Sequence, residues 1–199
     1  MEKTLSHNPN AQGLIFDMDG TLIDSLEINW IAMDRALRSH DIVIKRDTFI
    51  SMTGRSLEEI VEIIVRENGS PKEICSQIVA EKRQIANAQI NKVRPFEIVA
   101  DVARRAKGKI PMAVGTGSDR HRAEAMLKST GLLDLFDHIV AAEDVRNHKP
   151  HPETFLRCAE LMGIQPELCE VFEDADNGLL AAQNANMMFC DVRPYVGGA

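Results

Sequence analysis

Two aspartates close an apolar run near the start of the chain, Gly13-Leu-Ile-Phe-Asp-Met-Asp-Gly-Thr-Leu-Ile-Asp-Ser25. Strand side chains alternate faces, so Asp17 and Asp19 are expected to project from the same side, where the chain leaves its sheet. Carboxylates held that close repel each other and resist desolvation unless something compensates them. Taken alone, the pair also reads as a solvated Asp-Gly turn. Three later segments shift the balance: Gly115-Thr-Gly-Ser118, Asn147-His-Lys-Pro150 and Glu173-Asp174. A phosphomonoester presents several anionic oxygens, so a carboxylate that attacks it needs a cation nearby. Mg²⁺ takes oxygen ligands and keeps several waters, so a few carboxylates suffice to hold it. Asp17 is placed to attack phosphorus and to ligate the metal with its other oxygen, forming an aspartyl phosphate. Thr116 offers a hydroxyl to the phosphate. Gly117 lets a backbone N–H approach closely near a helix N-terminus. Lys149 adds a point charge that meets phosphoryl oxygens and balances the carboxylates.

The elements that must position these groups follow from spacing. The opening run reads as a strand. Ile28–His40 then shows helical periodicity through Ile31, Met33, Ala36 and Leu37. Ser56-Leu-Glu-Glu59 is a capping box ahead of Ile60, Ile63 and Ile64, and Ser70-Pro-Lys-Glu73 reads as a second one, with a helix to about Asn91. From Lys109 the rhythm alternates: a run over 110–115, a helix from Asp119 to Gly131, a run over 138–142, a helix over 152–162, a run over 170–173, an alanine-rich helix and a run over 187–192. Short buried strands alternating with helices predict an α/β fold with a Rossmann-like, doubly wound parallel sheet. Such sheets bind ligands at the carboxyl ends of their strands, where the chemical residues fall. The expected division is an α/β core over 1–27 and 92–199, with a small helical cap over 28–91 inserted after the first strand.

The bulk properties narrow the partners. A chain of 199 residues with 44% hydrophobic and 27% charged residues is an ordinary globular composition. A net charge of −7 without a basic block argues against nucleic acid. The polar start has no apolar signal core, and no run approaches the roughly 18 residues of a membrane span. Cys75, Cys158, Cys169 and Cys190 have no metal-site spacing and read as reduced thiols of a cytoplasmic protein. Oligomeric state is left open, a monomer being compatible with all of this.

The segments "DMDGT", "VGTGS", "HKP" and "FEDADNG", in this order, resemble the four motifs of the haloacid dehalogenase superfamily of phosphotransferases. The resemblance runs from Gly13 to Val192. It is strongest to the β-phosphoglucomutase-like branch of sugar phosphatases, with "HKPHPETFLRCAELMG" and "VFEDADNGLLAA" looking close to the bacterial fructose-1-phosphate phosphatase type. The resemblance implies an Mg²⁺-dependent phosphatase acting on small sugar phosphates. It implies that Asp19 lends its backbone carbonyl to Mg²⁺ while its side chain serves as acid and then base, which requires a carboxyl tuned upward for part of the cycle. Asp174 completes the expected metal set of Asp17, Asp19 and Asp174, with Glu173 behind it. Within the cap, Asn29, Gly54 and Arg55 are the candidates for substrate contacts, Arg55 reading equally as a surface ion pair.

Other residues read more blandly. Arg120, His121 and Arg122 form a solvated helix face, Trp30 packs between cap and core, and His148 and His151 are loop histidines. A phosphosugar mutase is the first rival, since it shares the aspartyl phosphate. Mutases of this branch carry a histidine where Asn29 stands, as do some phosphatases. A phospho-aspartate signalling module needs neither the helical insert nor Asp19, and dehalogenases lack the metal carboxylates.

Overall fold

The computed structural model describes residues 4–197. Strand β1 (Gly13–Phe16) is followed by a two-residue strand β2 (Ile23–Asp24). Next come helices α1 (Leu26–Arg38), α2 (Arg46–Ile50), α3 (Leu57–Glu67) and α4 (Cys75–Asn87). The chain returns through β3 (Arg94–Pro95), which pairs antiparallel with β2, so the helical segment leaves and rejoins the core at one short ribbon. Then follow α5 (Glu97–Ala106), β4 (Met112–Gly115), α6 (Arg120–Ser129) and β5 (His138–Val140). The chain closes with α7 (Glu153–Met162), β6 (Cys169–Glu173), α8 (Asp176–Asn184), β7 (Met188–Asp191) and α9 (Arg193–Val196).

The main sheet has the order β5-β4-β1-β6-β7 and is parallel throughout. This is the doubly wound α/β sheet read from the sequence. Its two faces follow from the two-residue period of β1. Leu14 and Phe16 pack with Val99, Ala103, Met126 and Phe172 on one face. Ile15 points the other way, toward Phe155, Ala159, Val171 and Ala181. With both faces covered, β1 is buried end to end, and its apolar run stops only where the chain leaves the sheet. The helical segment has a separate core, built by Met33, Leu37, Phe49, Ile60, Ile64 and Ile78.

Several local expectations are corrected. The Ser70–Glu73 box does not start a helix: Pro71 is extended, a short 3₁₀ turn spans Lys72–Ile74, and α4 begins at Cys75. That helix ends at Asn87 rather than near 91. Trp30, expected between cap and core, packs against the helical cluster, its ring 5.9 Å from that of Phe49. Helix α5, to which the sequence reading assigned nothing, buries Val99, Ala100, Val102, Ala103 and Ala106 under the sheet. Of the Ser56–Glu59 capping box the Ser56 half is present, its hydroxyl accepting from the Glu59 N–H at 3.2 Å, while the Glu59 carboxylate pairs with Arg55.

Candidate active site

Asp17 is the first residue beyond β1, the central strand, and its N–H donates to the Phe172 carbonyl at 3.0 Å. Met18 turns into the apolar core while Asp17 and Asp19 both line one chamber, so the alternation expected from a strand persists past its end. Thr116, Gly117 and Glu173 join them there, each from the carboxyl end of a neighbouring strand.

Lys149, read from the sequence as a phosphate-binding cation, is 1% exposed and bridges two carboxylates: Nζ lies 2.6 Å from Asp17 Oδ1 and 2.7 Å from Glu173 Oε1. Its ammonium also lies over the face of the Phe155 ring, with Nζ 4.6 Å from the centroid. Glu173 also accepts the Ala175 N–H at 2.7 Å, so both its oxygens are engaged and its direct work is to hold the lysine. Asp174 accepts from the Thr21 hydroxyl at 2.7 Å. Gly20 makes room for it: at φ +92° it adopts a conformation few side chains tolerate, and a Cβ there would sit 2.3 Å from Asp174 Oδ2.

Asp17, Glu173 and Asp174 bring carboxylate oxygens within 4.8 Å of one another. One lysine faces three acids, so the cluster is short of positive charge. Burial pushes the Asp17 carboxyl well above the usual range; Lys149 opposes this, and Glu173 and Asp174 add to it. Asp174 is pushed up to about 7, by burial first and the Glu173 charge next. An all-oxygen donor set with uncompensated negative charge fits a hard divalent cation.

Asp19 stands outside this trio. Ser25 and Asn29 (3.0 Å) donate to its Oδ1 and Ser118 to its Oδ2 at 2.8 Å. Burial alone would raise this carboxyl, but the Arg122 charge and the Ser25 and Ser118 hydroxyls outweigh it and hold it below the usual range. The surrounding protein groups therefore do the opposite of the upward tuning expected of an acid. Each donor hydrogen bond and the nearby positive charge favours the carboxylate form.

Of the candidates in the helical segment, Asn29, Gly54 and Arg55 all line the chamber. Arg55 forms an ion pair with Glu59. The Gly54-Arg55 loop sits against the second motif: a Cβ on Gly117 would be 2.9 Å from the Arg55 carbonyl oxygen. Asn177 Nδ2 donates to the Thr53 carbonyl at 3.1 Å, a second tie between the loop and the core. His121 and His151 are exposed, and Arg120 pairs with Asp144 at 2.5 Å.

Arg122 corrects the sequence reading. It is 3% exposed rather than solvated and lines the chamber together with Lys82, a residue the sequence reading passed over. Capping explains the turn inward. Asp119 accepts the Arg122 N–H at 2.9 Å, which starts α6 with this side chain facing the helical segment. Lys82 sits in the charged stretch Glu81-Lys-Arg-Gln84, and the one signal that sets it apart is its place between Ile78 and Ala86 on the buried face of α4.

Residues 14–192 match the family model described as haloacid dehalogenase-like hydrolase. The chain belongs to that family. A fructose-1-phosphate phosphatase of Escherichia coli is 39% identical over 91% of this chain and 96% of its own length. A validoxylamine A 7'-phosphate phosphatase of Streptomyces hygroscopicus is 31% identical over 88% of this chain and 82% of its own. A β-phosphoglucomutase structure from Clostridium difficile superposes with a TM-score of 0.83 at 25% identity, covering 91% of this chain and 84% of that one.

Proposed function

We propose that this phosphatase hydrolyses small sugar phosphates in an Mg²⁺-dependent reaction through a phosphorylated Asp17. The observation that carries the proposal is the placement of Asp17. It sits at the carboxyl end of the central strand, beside Lys149 and the metal-competent acids, in a chamber that Asp19 also lines. The similarity to the E. coli fructose-1-phosphate phosphatase supports a sugar phosphate as the substrate class.

Asp17 and Asp174, with the Asp19 backbone carbonyl, would hold Mg²⁺, which would supply positive charge against the phosphoryl oxygens. The Asp17 carboxylate attacks phosphorus, and the bond from phosphorus to the sugar oxygen breaks. Thr116, the Gly117 N–H and Lys149 stabilise the charge on the phosphoryl oxygens during transfer. Asp19 gives the departing sugar oxygen its proton. It then takes a proton from the water that attacks phosphorus, and inorganic phosphate leaves Asp17. A phosphoryl dianion brought beside Asp19 opposes the donors that keep it ionised, which supplies the protonation needed for the first step.

The segment over 28–91 acts as a cap in this reading. The chamber encloses about 100 Å³, against roughly 300–1,000 Å³ for typical ligand sites, so the helices must move away to admit a sugar phosphate. Phosphate release from a panel of sugar phosphates that includes fructose 1-phosphate, with Mg²⁺ and with chelator, tests the proposal. Absence of Mg²⁺-dependent release across the panel would overturn it. The mutase alternative is decided by phosphorus NMR with β-glucose 1-phosphate and a trace of the 1,6-bisphosphate. Inorganic phosphate is the expected product, because Asn29 cannot exchange protons with Asp19 as a histidine does. Accumulation of glucose 6-phosphate would establish the mutase.

A further inference from the structure

Four cations from the helical segment and from α6 line the chamber: Arg55, Lys82, Arg83 and Arg122. Arg55 pairs with Glu59, and Arg83 with Glu58 and Asp119. Lys82 and Arg122 meet no carboxylate among the described residues. Lys82 Nζ donates to Asn29 Oδ1 at 2.8 Å, and Arg122 donates to the same oxygen at 3.1 Å and to Asn87 Oδ1 at 3.3 Å.

Both side chains are more than nine-tenths buried, at 8% and 3% exposure. The Arg122 Nε is buried with no acceptor at all, although a guanidinium is built to present its donors as a fork to two anionic oxygens. Two positive charges converging on one neutral amide oxygen repel each other. The Lys82 ammonium is pulled down to about 7, burial being the larger cause and Arg122 the next. Asp19 lies on the far side of Asn29 with both oxygens already accepting hydrogen bonds, and it carries one charge against two. Buried charges are ordinarily paired, and Arg122 lines the chamber with a guanidinium donor that no protein acceptor meets, which points to an acceptor brought by the ligand.

We propose that Arg122 and Lys82 form a subsite for a second anionic group of the substrate, a carboxylate or a second phosphate on the part of the sugar that departs. The inference rests on the sugar-phosphatase reading and narrows it: phosphosugars with two anionic groups are bound better than matched phosphosugars with one. Neutral-ended fructose 1-phosphate remains a substrate in this account, without the contact at Arg122.

Calorimetric titration of the full-length Asp17→Asn protein with Mg²⁺ present tests this without turnover. Two matched pairs are compared: fructose 1,6-bisphosphate against fructose 1-phosphate, and 6-phosphogluconate against glucitol 6-phosphate. We expect at least one doubly anionic ligand to bind tenfold or more tightly than its partner, and the pair that shows it identifies the second group as phosphate or carboxylate. Adding Arg122→Leu should bring that ratio to near one, and Arg122→Lys should keep most of it. Because the ratio is taken within one protein, a partial loss of folded protein lowers both signals together and leaves the ratio unaltered. Should Arg122→Leu fail to fold, Lys82→Met carries the same expectation of a diminished ratio. Ratios near one for both pairs in the parent, or a ratio undiminished in the variants, overturn the subsite. A ratio that behaves as expected in a protein that releases no phosphate from any substrate upholds the subsite and overturns the catalytic reading instead.

Discussion

At the scale of single residues, Asp17 and Asp19 are separated by what surrounds them. Asp17 faces acids and one lysine, and Asp19 faces neutral donors with Arg122 behind Asn29. Asp17→Asn is expected to reduce turnover at least about a thousandfold while the melting curve stays cooperative, since an amide nitrogen does not replace the attacking oxygen. Substantial Mg²⁺-dependent release from that protein would remove Asp17 from its role. Asp19→Asn leaves attack intact but takes away the proton for the departing oxygen. Its rate should therefore fall far more on a sugar phosphate than on p-nitrophenyl phosphate, whose leaving group needs little protonation. Equal losses on the two substrates would show that Asp19 is structural. Both aspartates were legible in the sequence because strand alternation and a known dipeptide context converge there. Lys149 was legible as a cation, but its bridge between Asp17 and Glu173 was not, since the two partners stand 132 and 24 residues away.

At the scale of elements, the site depends on close approach between segments that share no sequence neighbourhood. Helix α8 passes so near Glu173 that a Cβ on Gly178 would fall 1.7 Å from Glu173 Oε1. Gly178→Ala must displace either the helix or the carboxylate that anchors Lys149. We expect a loss of about 1–3 kcal/mol of stability, as for overpacked cores, accompanied by a drop in kcat. Thermal unfolding and steady-state kinetics measure the two, and an unaltered kcat would mean that the Glu173–Lys149 contact is not needed for turnover. The element pattern itself was mostly readable, because buried parallel strands are short apolar runs between helix signals. Where it failed, the reason is local. Pro71 held its segment extended and delayed α4. Helix α5 was legible yet overlooked: Val99, Val102, Ala103 and Ala106 recur at helical spacing between Glu97, Asp101, Arg104 and Arg105.

At the scale of the whole molecule, the carboxylate cluster ties stability to pH and metal. In the metal-free protein Asp174 is raised to about 7, and Asp17 and Glu170 move the same way, burial leading in each case. A carboxyl raised on folding keeps its proton in the native state where the unfolded chain has released it. The native state then binds more protons, and stability falls as pH rises. The contribution is whole below the unfolded value near 3.8 and is lost by the time pH has passed about 7. Lys82, lowered to about 7, has the opposite sign but acts only above that value. The melting temperature of the metal-free protein should therefore decline from about pH 5 to about pH 7, and Mg²⁺ should raise it more at the upper end, where the acids it binds are ionised. A metal-free melting temperature that climbs across this range would contradict the upward shift of Asp174 and Asp17 on folding.

The linear chain by itself determined the sheet, the order of its motifs and the placing of Asp17, Asp19, Thr116 and Glu173 at strand ends. Those features come from periodicity and from turn chemistry, which act between near neighbours. Tertiary structure alone decided which charges meet. Arg122 reads as one of three basic residues on a polar helix face, yet the cap residue Asp119 and the approach of α1 and α4 bury it beside Asn29, Asn87 and Lys82. Burial and pairing are set by contacts across 35 to 93 residues of chain. A residue's type fixes what it can donate or accept, and only the packed fold sets its partners and its distance from water.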